Sequence, residues 1–576
     1  MEGCGFGTNG DGYGSSASHI GKPRSYFSGS TGNSISISEN NPSLRHGWAN
    51  DTGGNSALLF SYFDVTGGTG GHSVLNSDLT VTSINPLDTT QKNDESAAGR
   101  TYNSQKFLVG GSRIATLDNV NDATLENKGI INLVGPLVVG FEVQTDTHSN
   151  GHGTRKIINS GTITDEAETG TLLDNYLAKG AVLNNLYLAT GLGAPNKIKV
   201  TRTNEGYTGY KVGLILTMEN SDPRANSRYI LENSKIIKFN GEKSIGIQIF
   251  SPGSISNVEV SNNGTGTNGI FIGGKESYGM KWSSRVSGSS TMNNTGTINI
   301  SGDNGNDNSL SSGIAVIENE AYKNKNSTIR AWNNKVTNSG TINVSGGKAN
   351  TGMVLIVNAN DDITNTGTIN VHSEAKKQNI AMRVKKGKVS TDDVSGKNPK
   401  AINNGNIYLS GDSSMGLVST DADVTNATGA EIKTTSGKTI INGIGIVNKG
   451  GNLENKGEIE LKGTGDSNNV GIYMTKGTSN PNGTSTGNIT VTGDGSTGVL
   501  ITNGTLNYAG AITSQGNGVA GIIVGDNNTE NAVVNASGAL PSSITVNNGT
   551  TAAGVYTDSK NRIRGSYGMV VGKNSK

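Results

Sequence analysis

The sequence predicts an all-β chain: a right-handed parallel β-helix (solenoid) with three short strands per rung and loop insertions. Three observations predict it. First, one line is written again and again: "TNSGTINVSGGKANTGMVLIVN" from Thr337 has near-copies at "MNNTGTINISGDNG" from Met292, "ITNTGTINVHS" from Ile363 and "LENKGEIELKG" from Leu453. Second, the apolar residues after each motif glycine alternate, as in Ile342 and Val344 or Ile369 and Val371, which is the period of a strand with one buried face. Third, 84 glycines in 576 residues make about 15%, against a usual share of about 7%, without the every-third spacing of collagen.

Aligned on the glycine of an N-x-G-x-I motif, the copies fall at Gly129, Gly161, Gly296, Gly340, Gly367, Gly405, Gly457, Gly487 and Gly510, with Gly429 a looser member. Repeats of roughly 20 to 50 residues build solenoids, propellers or arrays. Variable spacing around a fixed motif favours the solenoid, where extra residues leave as loops. Each copy splits into three strands. The first ends in an apolar residue about four positions before the glycine, such as Leu125, Val336 or Ile363. The second alternates directly after the glycine. The third opens with another glycine, as in "GMVLI" at Gly352, "GIYM" at Gly471 and "GVLI" at Gly498. Strands this short hold only if successive turns stack at about 4.8 Å, burying one continuous column. The right hand follows from the crossover rule.

An asparagine stands two positions before the motif glycine at Asn127, Asn294, Asn338, Asn365 and Asn455. Stacked amides there are expected to form a structural ladder along the axis. With rungs of about 25 residues, the expected stack is roughly 100 Å long.

Composition excludes several classes. A net charge of +1 leaves no electrostatic footprint for nucleic acid. No apolar run reaches the ~18 residues of a membrane-spanning helix. The opening "MEGCGFGTNG" lacks the apolar core of a secretory signal, and the single cysteine, Cys4, permits no internal disulfide framework. The segments expected are a Gly/Ser-rich, irregular β start over 1–73, rungs over 74–163, a β-helix with long insertions over 164–291 and regular rungs over 292–576, all within one elongated domain. The chain ends on "GMVVGKNSK" after a third strand; solenoids carry polar caps, so a piece of a longer protein is expected.

"NGHGTRKI", Asn150 to Ile157, is the sharpest enzymatic lure, because Gly-His-Gly and Arg-x-Lys segments occur in pectin-degrading β-helix hydrolases. Here Arg155 and Lys156 follow His152 at once, and no acid pair precedes it to act as general acid and base. No catalytic residue is therefore assigned, and the chain is read as no enzyme. Isolated Gly-Asp turns such as "TGDGSTG" lack the adjacent copies a calcium site needs, so no metal and no cofactor are expected. The basic window holding Lys376, Lys377, Arg383, Lys385, Lys386, Lys388, Lys397 and Lys400 reads as a solvated face, with docking of an acidic partner the alternative. Two stretches join aromatic and basic residues: "GGKESYGMKWSSR", with Lys275, Tyr278, Lys281, Trp282 and Arg285, and "ENEAYKNKNSTIRAWNNK", with Tyr322, Lys323, Arg330 and Trp332. Both are read as insertions. Exposed aromatics beside Arg are the stuff of binding hot spots, so these nine residues are the receptor-binding candidates.

The copies "NKGIINLVGPLVVGFEVQ", "NSGTITD", "NTGTINISGDNG", "NKGEIELKG" and "STGVLITNG" resemble the passenger of fusobacterial type V (autotransporter) outer-membrane adhesins. The resemblance covers most of the chain after about Val74. It implies a passenger segment displayed on the bacterial surface and anchored by a C-terminal outer-membrane β-barrel that this segment does not contain. The expected partners are a host-cell surface glycoprotein, a glycan, an immune receptor or partner bacteria. The alternatives are a β-helix polysaccharide hydrolase or lyase, and a structural spacer whose binding site lies elsewhere.

Overall fold

The computed structural model describes residues 34–38, 58–64, 71–75, 78–82, 109–115, 122–134, 138–145, 153–166, 186–188, 196–198, 202–203, 206–207, 211–218, 227–250, 254–255, 257–282, 285–286, 290–302, 311–317, 334–357, 361–374, 377–387, 398–525, 532–535, 543–547, 555–557 and 563–571. The candidates Tyr322, Lys323, Arg330 and Trp332 lie outside the described residues. The chain divides into two compact units, residues 1–298 with 317–334 and residues 299–316 with 335–576. Among the described residues there is no α-helix. Each unit is a parallel β-helix of three sheets, labelled A, B and C, and each rung visits C, A and B in turn.

In the second unit one rung consists of Asn334–Asn338 in sheet C, Thr341–Val344 in sheet A and Thr351–Val357 in sheet B. The next rung repeats it with Asp362–Asn365, Thr368–Ser373 and Ile380–Lys386. Strands pair in parallel with like residue on like: Ile342 on Ile369, Ile407, Ile432, Ile459, Ile489, Ile512 and Ile544. In the first unit Ile131, Ile163, Ile237 and Ile270 make the corresponding column. From Ile342 to Ile512 this column is fully buried. Each isoleucine so placed contributes about 1.5–3 kcal/mol of burial, and β-branched side chains suit the pleated face.

The glycine opening each sheet B strand lies across from that column. A Cβ on Gly471 would stand 2.5 Å from the Gly498 carbonyl oxygen and 2.5 Å from Ile489 Cγ2. The backbone of sheet B thus comes close to both its neighbour rung and the isoleucines, and only a side chain of a single hydrogen fits without movement. The corner leading from sheet A into sheet B is equally regular. Lys243, Glu276, Ala349, Gln378, Ser413, Asn442 and Asn468 occupy it with φ between 49° and 63°, a left-handed conformation that non-glycine residues seldom adopt.

One expectation needs correction. "GGKESYGMKWSSR" is no insertion: Tyr278–Trp282 is a sheet B strand paired with Ser244–Phe250. The stretch 227–282 also keeps the rung grammar, since Ser227–Asn233, Ile236–Phe239 and Ser244–Phe250 form a complete rung. The motif glycine is merely replaced there by Lys235.

Candidate functional site

The interior is fully used by structure. At the end of sheet C each asparagine is fully buried and donates its side-chain amide to the next: Asn127 to Asn159 at 2.8 Å, then to Asn233, Asn262 and Asn294 at 2.7 Å each. In the second unit the run goes from Asn338 through Asn365, Asn403 and Asn426 to Asn455, at 2.7, 2.8, 2.9 and 2.9 Å. It ends on the Ser485 hydroxyl at 3.1 Å. From Asn127 through Asn403 each amide also donates to a backbone carbonyl, as Asn127 does to Thr162 at 3.2 Å and Asn159 to Ile236 at 2.9 Å. Buried polar groups are tolerated when every donor finds its acceptor.

A second polar column at the A-to-B corner escaped sequence reading. Asn350 Nδ2 donates to the carbonyls of Gly302 and Ser345, at 3.2 and 3.1 Å. Asn379 Nδ2 donates to those of Gly346 and His372, both at 2.9 Å. Asn469 repeats the role for Ile440 and Thr492. Its signal was present, for Asn350 and Asn469 also stand two positions before a glycine, the one that opens sheet B.

The described receptor-binding candidates do not share one face. Trp282 is completely buried in the core, paired with Ile249, and its indole N–H has no hydrogen-bond partner. It packs the interior and is not an exposed hot spot. Lys281 and Tyr278 lie on the opposite face of the same strand, the lysine ammonium 4.3 Å from the ring centroid. Desolvation pulls the Lys281 ammonium down to about 8. Lys275 sits in the preceding turn and pairs with Glu242 at 2.9 Å. Arg285 lies in the short strand Arg285–Val286. The "NGHGTRKI" segment forms the sheet C strand Gly153–Asn159. Its Arg155 is 1% exposed, stacked 5.7 Å from the Tyr229 ring centroid, and its Lys156 points outward to Glu232 at 2.8 Å.

What the second unit offers to solvent is a set of flat, fixed columns. On sheet A, Asn370 Nδ2 donates to Asn343 Oδ1 and Asn343 Nδ2 to Asn299 Oδ1, both at 2.8 Å. Tyr408 and Lys433 continue that column. Lys433 is held between Glu431 at 3.0 Å and Glu458 at 2.8 Å, and the hydrogen bond from Glu458 raises its ammonium above the ordinary range. Among the described residues no three His, Cys, Asp or Glu side chains are grouped to hold a metal ion, and no helix is long and apolar enough to cross a membrane. No known protein family, no curated protein and no solved structure matches the chain.

Proposed function

We propose that this chain is a surface-displayed adhesin segment, a β-helical passenger that binds receptors or partner cells through its outer faces and loops and performs no chemistry. The observation that supports this is the division of labour between inside and outside. Among the described residues, inward positions are apolar columns and hydrogen-bonded amide ladders. Outward positions of sheet A carry amides, the half-buried Tyr408 ring and paired charges. These are groups suited to polar ligands such as glycans or protein loops, held on a scaffold that loses little entropy on binding. Repetition along the stack would add avidity.

The test is binding of the purified chain to a glycan array and to receptor-bearing cells, with Tyr408→Ala and Asn370→Ala as the sheet A variants. The adhesin reading expects saturable binding that these variants weaken. Release of reducing ends from an acidic polysaccharide would favour the hydrolase or lyase. Absence of binding to any glycan or cell would leave a spacer.

A further inference from the structure

The sheet B strands of the second unit, from Thr351–Val357 to Ala520–Val524, contain no acid; their only charged side chains are Arg383, Lys385, Lys386 and Lys449. Outward positions of a half-solvated sheet are normally polar. Here one outward column runs from Arg383 through Val418, Val447, Tyr473 and Leu500 to Ile523, all in register and all part-exposed. Met415, Ile444 and Val470 lie part-exposed beside its upper half. A contiguous apolar patch of this kind marks an interaction surface.

Arg383 stands at the head of the column, directly after the buried Val354. No hydrogen bond, ion pair or ring contact reaches its guanidinium among the described residues, and burial pulls that group below its ordinary range. A desolvated charge without a partner costs the fold stability, so the fold itself gives no reason to keep it there. Lys385, two positions along the strand, is exposed and also joins no ion pair. At the adjoining corner Lys348 and Lys377 precede Asp412 in successive rungs, and the Asp412 carboxylate is already engaged by Asn442 Nδ2 at 2.9 Å and Ser413 Oγ at 2.8 Å.

We propose that this face binds a long-chain fatty carboxylate, its headgroup on the Arg383 guanidinium and its alkyl chain lying down the column toward Ile523. A guanidinium meets a carboxylate with two parallel hydrogen bonds. Five rung steps separate Arg383 from Ile523, about 24 Å at the usual strand spacing and roughly the reach of an extended acyl chain of about eighteen carbons. The column favours an alkyl chain over a peptide. Each of these strands is paired on both sides, so the face offers side chains and no free backbone edge. A peptide laid along it would bury N–H and C=O groups against apolar side chains; an alkyl chain has none to lose. The site requires nothing of the adhesin reading, whose test variants lie on sheet A.

The experiment is calorimetric titration of the full 576-residue chain with dodecanoate below its micelle threshold. Saturable binding of one equivalent is expected, about tenfold or more tighter than that of dodecyltrimethylammonium. Affinity should rise about fourfold for every two carbons from decanoate to tetradecanoate, for a chain half covered by the column. Arg383→Gln should weaken dodecanoate binding about tenfold or more, the loss of one charged contact, with far-UV circular dichroism unchanged. Val447→Ser with Leu500→Ser should flatten the dependence on chain length. Without amphiphile, Arg383→Met should raise the urea midpoint, because it keeps the stem and removes the uncompensated charge. Absence of saturable binding, equal affinity for the ammonium amphiphile, or binding indifferent to Arg383→Gln would each overturn the proposal. A lowered midpoint in Arg383→Met would assign the guanidinium to the fold and overturn it too. So would concentration-dependent self-association in sedimentation velocity that Val447→Ser with Leu500→Ser removes, since a second copy would then be the occupant.

Discussion

Asn338 donates its side-chain Nδ2 to the side-chain Oδ1 of Asn365 at 2.7 Å, and Asn365 Nδ2 passes the same bond to Asn403 Oδ1 at 2.8 Å. The relation is directional. Every interior member accepts from one rung and donates to the next, so the column specifies register along the axis as well as burial. A one-residue slip of a sheet C strand would turn its whole apolar set outward and would also break two of these bonds.

Removing one member therefore takes from both neighbours their shortest bond, leaving Asn338 Nδ2 its longer bonds to Gly340 and Thr368 and Asn403 Oδ1 its long bond from the Gly405 N–H. Asn365→Ala is expected to cost about 2–4 kcal/mol, since each stranded buried group carries a desolvation penalty of about 1–3 kcal/mol. Asn365→Asp should cost at least as much, because it removes the donor and buries a charge. Ser485 is the natural terminus of the column, so Ser485→Ala should cost less than either. Urea unfolding of the three variants checks the order.

The sheet B glycines can be ranked by what a Cβ would meet. On Gly445 it would stand 2.6 Å from the Gly471 carbonyl oxygen and 2.7 Å from Ile459 Cγ2. Ala381 fills the equivalent place in another rung, so a methyl is tolerated where the neighbours give. Gly445→Ala is expected to cost about 1–3 kcal/mol, and Gly445→Val more. Gly429 has open space around it but a φ of 81°, so Gly429→Ala should cost about 1–2 kcal/mol through backbone strain alone. Urea midpoints for all three separate steric conflict from strain.

The columns were legible because stacking repeats a residue at a fixed place. Asn127, Asn338 and Ile342 announce themselves by their offset from the motif glycine. Asn159, Asn262 and Asn403 hold that same offset, before Gly161, Gly264 and Gly405, whereas Asn233 and Asn426 are hidden: Lys235 replaces the glycine after Asn233, and Gly429 stands three positions after Asn426. Trp282 was misread for a different reason. Its aromatic ring and neighbouring lysine resemble a hot spot by residue type. Yet "YGMKW" carries the sheet B glycine at Gly279, in line with Gly246, whose Cβ would meet the Gly279 oxygen at 2.5 Å. Alignment on that second glycine places Trp282 inside. The outer stripe of sheet B had no such marker, because outward positions are free of the repeat's packing constraint.

The A-to-B corner stores strain that one substitution should release. Ala349 holds a φ of 59°, where its Cβ crowds the following carbonyl at a cost of about 1–2 kcal/mol. Glycine relieves this but adds roughly 0.5–1 kcal/mol of unfolded-chain entropy. Ala349→Gly is thus expected to raise stability by about 0.5–1 kcal/mol. Ala349→Asn should raise it too, because asparagine adopts the left-handed region more readily. A higher urea midpoint in both variants is the outcome sought; a drop in both would show that Ala349 has packing the corner needs.

Lys281 gives the first unit a pH signature. Burial lowers its folded-state pKa to about 8 from 10.5, because the charged ammonium loses water on the half-covered face of sheet B. Between these two values the unfolded chain keeps a proton that the folded chain has released. Stability from this group therefore rises with pH from about 8 to 10.5 and is at its lowest below 8, where folding must cover a charged ammonium. Lys281→Met keeps a flexible apolar stem against the Tyr278 ring and removes the titration. Urea midpoints followed from about pH 7 to 10.5 should show the native chain gaining relative to Lys281→Met across that window, all other groups being common to both. Parallel curves would mean that the ammonium keeps its water and that this side of the strand is open.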